Sequence, residues 1–172
     1  MFTGNQHMKR MLKTLSMISA ILPAMSAGAA VPTRPVLTTP VLLRLAQVAI
    51  DQCAKDGFNV AVAILDRDGN LRLHILTPDV SLFSGELSKR KARTSAMFRV
   101  PSIVIAERMK TSPNFLVSAM AIDPNLAAAQ GGLPIFAGDE LLGAIGISGA
   151  PSGDKDEVCA QAGLDAIAPI LR

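Results

Sequence analysis

Apolar residues recur at Leu42, Leu45, Ala46, Ala49, Ile50 and Cys53, the spacing of one helical face. Thr38 or Thr39 is placed to cap that helix, with Pro40 in its first turn and Gly57 as its stop. The pattern then changes. Phe58–Leu65 is a β-rich apolar run, Asp66-Arg67-Asp68-Gly69 is a turn, and Asn70–Leu76 is a return strand. Pro78–Phe83 reads as loop. Ser84 caps a second helix running to about Arg99, and Pro101 separates it from a short helix over Ser102–Lys110. Thr111–Gln130 has few periodic cues and reads mostly as loop with one helical turn. A second hairpin follows, Leu133–Phe136 and Leu141–Ser148 about the turn 137–140. The glycine-rich corner Gly149–Gly153 opens a last helix from Asp154 to about Ala168, with Asp154, Asp156 and Glu157 in its first turn. Two hairpins demand antiparallel pairs and the helices must cover the sheet. The expected class is α+β, one antiparallel sheet of four or five strands.

The first thirty residues break this pattern. Lys9, Arg10 and Lys13 precede an apolar run from Leu15 to Ala24, and Ser26-Ala27-Gly28-Ala29-Ala30 supplies a small-residue cleavage site. That is the organisation of a secretory signal peptide over residues 1–30, with Met8 as the natural start. Residues 31–40, with Pro32, Pro35 and Pro40, form an extended lead-in, and 41–172 form the domain. The run is too short for a membrane span, so no integral membrane segment is expected after cleavage. The expected location is periplasmic or secreted.

Composition acquires its meaning from that division. The chain of 172 residues is 49% hydrophobic and 18% charged with mean hydropathy +0.36, which excludes intrinsic disorder. The leader holds three of the 17 basic residues and none of the 14 acidic ones, so the remainder is balanced. Nucleic acid is therefore not expected as a partner, and the absence of Trp and Tyr argues against base stacking.

Candidate chemistry is sparse. His74 is the single histidine after the leader and lies on a strand, more readily a solvated or interface side chain than a catalytic one. Asp66, Asp68 and Asp79 form an acidic hairpin end without EF-hand spacing. Lys89, Arg90, Lys91, Arg93 and Arg99 make one helix basic; Lys89, Arg93 and Arg90 share one side, either a solvated face or a cationic rim for ligand carboxylates, while Lys91, Ser95 and Phe98 point elsewhere. The corner before the last helix suits either close packing or a small anion.

Four segments in order resemble the GlcG/HbpS family. Phe58–Asp66 with Asp68-Gly69 is similar to its G-y-x-V-a-V-a-V-x-D-x-x-G opening, and Lys91-Ala92-Arg93-Thr94-Ser95-Ala96 to its K-A-x-T-A helix. Gly131-Gly132-Leu133-Pro134-Ile135 resembles its G-G-x-P-I segment. Gly143-Ala144-Ile145-Gly146-Ile147-Ser148-Gly149 with Asp156-Glu157 resembles its G-a-i-G-v-S-G and D-E segments. The resemblance implies a profilin-like domain, a homo-oligomer, and haem as a possible cofactor. It makes Thr94 the candidate contact to haem iron, a weak one because a hydroxyl ligates iron poorly beside His, Cys, Met or Tyr. The histidine that exported relatives carry before this helix is replaced by Leu82-Phe83-Ser84.

The expected function is an exported haem- or tetrapyrrole-binding protein. The alternatives are an accessory protein or enzyme for a small glycolate-like carboxylate, and a partner-binding module. Lys91, Thr94 and Phe98 are expected to bind a small-molecule ligand near Gly131, Gly132, Gly146, Ser148 and Gly149, where the glycines admit either a flat ligand or a helix. In a profilin-like fold the terminal helices lie side by side, which would let Cys53 and Cys159 bond in an oxidising compartment. Two small buried hydrophobes that never meet are the other outcome.

Overall fold

The computed structural model describes residues 33–171; the reading of residues 1–30 as a signal peptide lies outside them. The elements are α1 (Thr39–Lys55), β1 (Ala61–Asp66), β2 (Leu71–Leu76), α2 (Leu82–Phe98), α3 (Ser102–Thr111), α4 (Pro113–Ile122), β3 (Gly132–Ala137), β4 (Glu140–Ser148) and α5 (Gly153–Ile167), closed by a 3-10 turn at Ala168–Ile170. The strands form one antiparallel sheet in the order β2-β1-β4-β3. This is the α+β, single-sheet architecture expected from the two hairpins.

The two faces of the sheet are built differently, and the difference sets the position of α2. Val62, Ile64, Ile145, Ile147, Leu133 and Ile135 pack with Leu42, Leu45, Ala46, Ala49 and Ile167 of α1 and α5. The opposite face is built mostly of small residues: Ala63 and Ala144, with Leu65, meet Ala92 and Ala96 of α2. Gly132 and Gly146 complete that face. A Cβ on Gly146 would lie 2.1 Å from the Ser88 carbonyl oxygen, and one on Gly132 would lie 2.3 Å from that of Lys91. The helix backbone occupies the space a side chain would take.

Cys53 and Cys159 are bonded, with Cα atoms 5.5 Å apart, and tie α1 to α5. The lead-in is held down by Leu37, which is buried, and by Arg67, which donates to the Pro35 carbonyl.

Three expectations need correction. The stretch read as loop contains α4; Pro113 sits at its first position, but Asn114–Ile122 lacks the polar face that would have produced a helical period. The cap of α2 is Ser81, not Ser84: the Ser81 hydroxyl accepts from the Ser84 amide at 3.1 Å. The lead-in ends at Thr38 rather than at 40, because α1 begins at Thr39; Thr38 holds the cap position and Pro40 the first turn, as expected, though the Thr38 side chain makes no cap bond.

Candidate functional site

The motif segments meet at one buried ion pair. Lys91 is on the sheet-facing side of α2 and is 2% exposed; Asp156, in the first turn of α5, is 3% exposed. The Lys91 ammonium donates to Asp156 Oδ2 at 2.6 Å and to the Ile147 carbonyl at 2.9 Å. Asp156 Oδ1 accepts from the Ala150 amide at 3.0 Å. Burial pushes the Asp156 carboxyl up, and the Lys91 charge and the two hydrogen bonds pull against it. Gly131 is needed at this point. Its φ is +115°, and a Cβ there would meet Asp156 Cβ at 2.8 Å and Lys91 Nζ at 3.0 Å. The pair thus joins α2, β4 and α5 beneath the glycine-rich corner.

Two cavities flank the exposed side of α2. One, of ≈370 Å³, lies above the ion pair and is bordered by Phe83, Leu87, Gln130, Ser148, Gly149 and Ser152. The other, of ≈380 Å³, is bordered by Phe83, Glu86, Leu87, Arg90, Leu126 and Ala127. They share Phe83 and Leu87, so the helix and the segment 126–130 form the walls of one divided trough. Its apolar character is concentrated at the start of α2, where Leu82 and Phe83 are 84% and 73% exposed.

Thr94 is not part of that surface. It is fully buried, and its hydroxyl accepts from the Ala127 amide at 2.9 Å while facing the carbonyls of Arg90 at 3.0 Å and Ala127 at 3.2 Å. A hydroxyl has one hydrogen and two lone pairs, so these contacts leave little for an iron. Thr94 instead clamps segment 126–130 to α2 and so holds one wall of the trough. The expectation of a ligand contact is corrected on this ground. Gly132 and Gly146 likewise face α2 rather than a ligand, the helix having taken the place considered for a flat molecule. Phe98 packs elsewhere, its ring 5.7 Å from that of Phe115. Of the expected ligand residues, Lys91, Ser148 and Gly149 border a cavity, and Gly131 lies against Lys91. Arg90 was read as part of a cationic rim, but the apolar trough residues Phe83, Leu87, Leu126 and Ala127 were missed. Exposed apolar Leu82-Phe83 before a basic helix was the available sequence signal.

The remaining candidates are structural. Asp66 Oδ1 accepts from the amides of Asp68 at 3.0 Å and Asn70 at 2.9 Å, organising the β1–β2 turn. Among the described residues no cluster of His, Cys, Asp and Glu is arranged to hold a metal, and no helix is long and apolar enough to cross a membrane. His74 lies 3.4 Å from the Ser88 hydroxyl, and burial followed by the nearby Lys89 charge lowers its pKa.

Residues 37–165 match the family described as Haem degrading protein HbpS-like. The chain belongs to the HbpS-like family. It is 25% identical over 116 residues to Protein GlcG of Escherichia coli strain K12, covering 67% of this chain and 84% of that one. The solved structure of HbpS is 31% identical with TM-score 0.73, covering 81% of this chain and 96% of that chain. A double mutant of Streptomyces reticuli HbpS is 30% identical with the same TM-score, 0.73, covering 86% and 98%. The fold is also shared, at 24% identity and TM-score 0.71, by a structure titled PduOC:Heme Complex, covering 77% and 96%.

Proposed function

We propose that this HbpS-like protein is exported and binds haem or a related tetrapyrrole in the trough along α2. The observation that carries the reading is the pairing of Phe83, Leu87, Leu126 and Ala127 with Arg90 around a cavity of ≈380 Å³, in a chain of a family described as haem-degrading. A porphyrin is a flat apolar body with carboxylate arms, and the trough offers an apolar wall next to a guanidinium.

The fit stops at the metal. Neither cavity is bordered by His, Cys, Met or Tyr, the residues that hold haem iron. Bound haem would bring a redox-active iron, and the lining supplies none of these four ligand types. The binding therefore rests on the macrocycle, and the role that follows is handling or sensing rather than rapid turnover. The exposed apolar side chains Leu82, Phe83, Val117 and Ile122 support assembly into a homo-oligomer. Export follows from the leader at residues 1–30 and is consistent with the disulfide.

The corner before α5 gives less support to a small-carboxylate ligand. Asp156 already accepts from the Ala150 amide there, and contact with Ser152 and the first-turn amides holds the Asp154 carboxyl below its usual range. A further anion would meet two carboxylates. Haem titration of purified protein tests the proposal: a Soret shift saturating at micromolar haem supports it, and an unchanged spectrum removes it.

A further inference from the structure

On the other side of Arg90 from the apolar trough, α2 and the β1–β2 turn enclose a smaller hollow of ≈190 Å³. Leu65 and Leu71 contribute its apolar lining, and Lys89, Arg90 and Arg93 its charge. The three cations are not equivalent. Lys89 is held by Glu86 at 2.6 Å, and Arg93 is paired with Asp123 while its Nη1 donates to the Gly69 carbonyl at 3.3 Å. Arg90 has no carboxylate partner among the described residues. Its one hydrogen bond goes to the Pro124 carbonyl at 3.3 Å, which leaves most of its five N–H donors for something else. Glu86 also borders the hollow, but its carboxyl is held below the usual range, first by the hydrogen bond from Lys89. The Asn125 side of the hollow brings a neutral residue rather than another acid. Even with Glu86 and Asp123 both counted against the three cations, one positive charge remains uncompensated, and it is Arg90.

Arg90 and Glu86 border both this hollow and the apolar trough. We propose that the hollow is a carboxylate-binding subsite in which Arg90 is the principal donor and Lys89 and Arg93 supply the field. A guanidinium takes a carboxylate through two parallel N–H bonds, a geometry no lone ammonium matches. The carboxylate comes either from the arms of a porphyrin lying in the trough, in which case the subsite rests on the tetrapyrrole reading, or from a free dicarboxylate.

The test compares haemin, haemin dimethyl ester and succinate on the full purified protein and on Arg90→Gln, with Lys89→Gln as the substitute should the first variant not fold. Porphyrin binding is read from the Soret band and succinate binding from the thermal midpoint, which rises when a ligand binds only the native state. With the arms as the source, wild type prefers haemin over the ester by about tenfold, the worth of one charge-assisted hydrogen bond, and Arg90→Gln erases the preference. Equal affinity for haemin and ester in wild type, or a preference that survives Arg90→Gln, overturns the arm assignment. If neither porphyrin binds, the tetrapyrrole reading fails and the subsite is judged on succinate alone. A midpoint rise present in wild type and absent in the variant then sustains it, and no rise in wild type overturns it.

Discussion

Removing the ammonium of Lys91 should destabilise the protein more than any exposed substitution on α2, and in a pH-dependent way. Lys91→Met keeps the length and apolar stem of the side chain and deletes the charge. Asp156, 3% exposed, then keeps its hydrogen bond from the Ala150 amide and loses the one from Lys91 at 2.6 Å. Breaking a buried pair by taking one partner away costs about 3–5 kcal/mol, because the other charge stays behind uncompensated. Burial already acts to raise the Asp156 pKa, and Lys91 is the foremost opposing influence. Without it the folded-state value rises further above that of the unfolded chain. A carboxyl raised in this way contributes fully below its unfolded pKa, and the contribution is lost as pH rises through the folded value. Lys91→Met should therefore lose about 3–5 kcal/mol at pH 8 and markedly less near pH 4. Lys91→Met combined with Asp156→Leu, which removes both charges, should recover much of the loss. Urea titrations of the three proteins at both pH values provide the numbers. A single variant within about 1 kcal/mol of wild type at pH 8, or a loss that does not change with pH, would refute the reasoning.

Three further outcomes follow from named contacts. The Cys53–Cys159 bond closes a sequence separation of 106, so replacing both cysteines by Ala should cost about 4–5 kcal/mol in the chain-entropy account, read from the urea midpoint of unreduced protein. Thr94→Val leaves the Ala127 amide without its partner; a loss of about 1–3 kcal/mol is expected, with faster amide exchange along residues 126–130, whereas a change in ligand affinity with stability untouched would restore the direct-contact role. His74 titrates below its ordinary value in the folded state, chiefly through burial and then Lys89, so stability should be highest above about pH 6.5 and fall as pH drops through the folded pKa. His74→Gln should flatten that part of a stability-against-pH curve.

The outer helices were legible because each buries one face, which leaves a period, whereas β1 and β4 are buried on both faces and were legible as continuous β-rich apolar runs between turn signals. Helix α4 was not, since Asn114–Ile122 is apolar nearly all round and carries no period to detect. The glycines of β4 were readable as sites of close approach. At Gly146, whether a helix or a ligand filled the space depended on α2, more than 50 residues earlier in the chain, and Ser88 and Ala92 supply the answer; Gly143 instead meets the Leu65 carbonyl of β1. Lys91 stands apart from Lys89 and Arg93 on the helical wheel, and that alone placed it away from the solvated rim. Its partner lies 65 residues further on, a pairing that spacing does not reveal. The trough escaped for a similar reason. Leu126 and Ala127 are held against α2 by Thr94, together with the Arg90 and Arg93 contacts to Pro124 and Asp123, so a residue read as a ligand contact is one that shapes the wall.

The central claim is that this HbpS-like chain holds a tetrapyrrole by its macrocycle and not by its iron. Parallel titrations of the purified protein with haem and with metal-free protoporphyrin test it most directly, followed by absorbance for haem and fluorescence for protoporphyrin. The account predicts micromolar binding of both, with dissociation constants within about threefold, a difference of less than 1 kcal/mol. Tight binding of haem with none of protoporphyrin would show an iron ligand that the trough does not contain, and binding of neither would contradict the account outright.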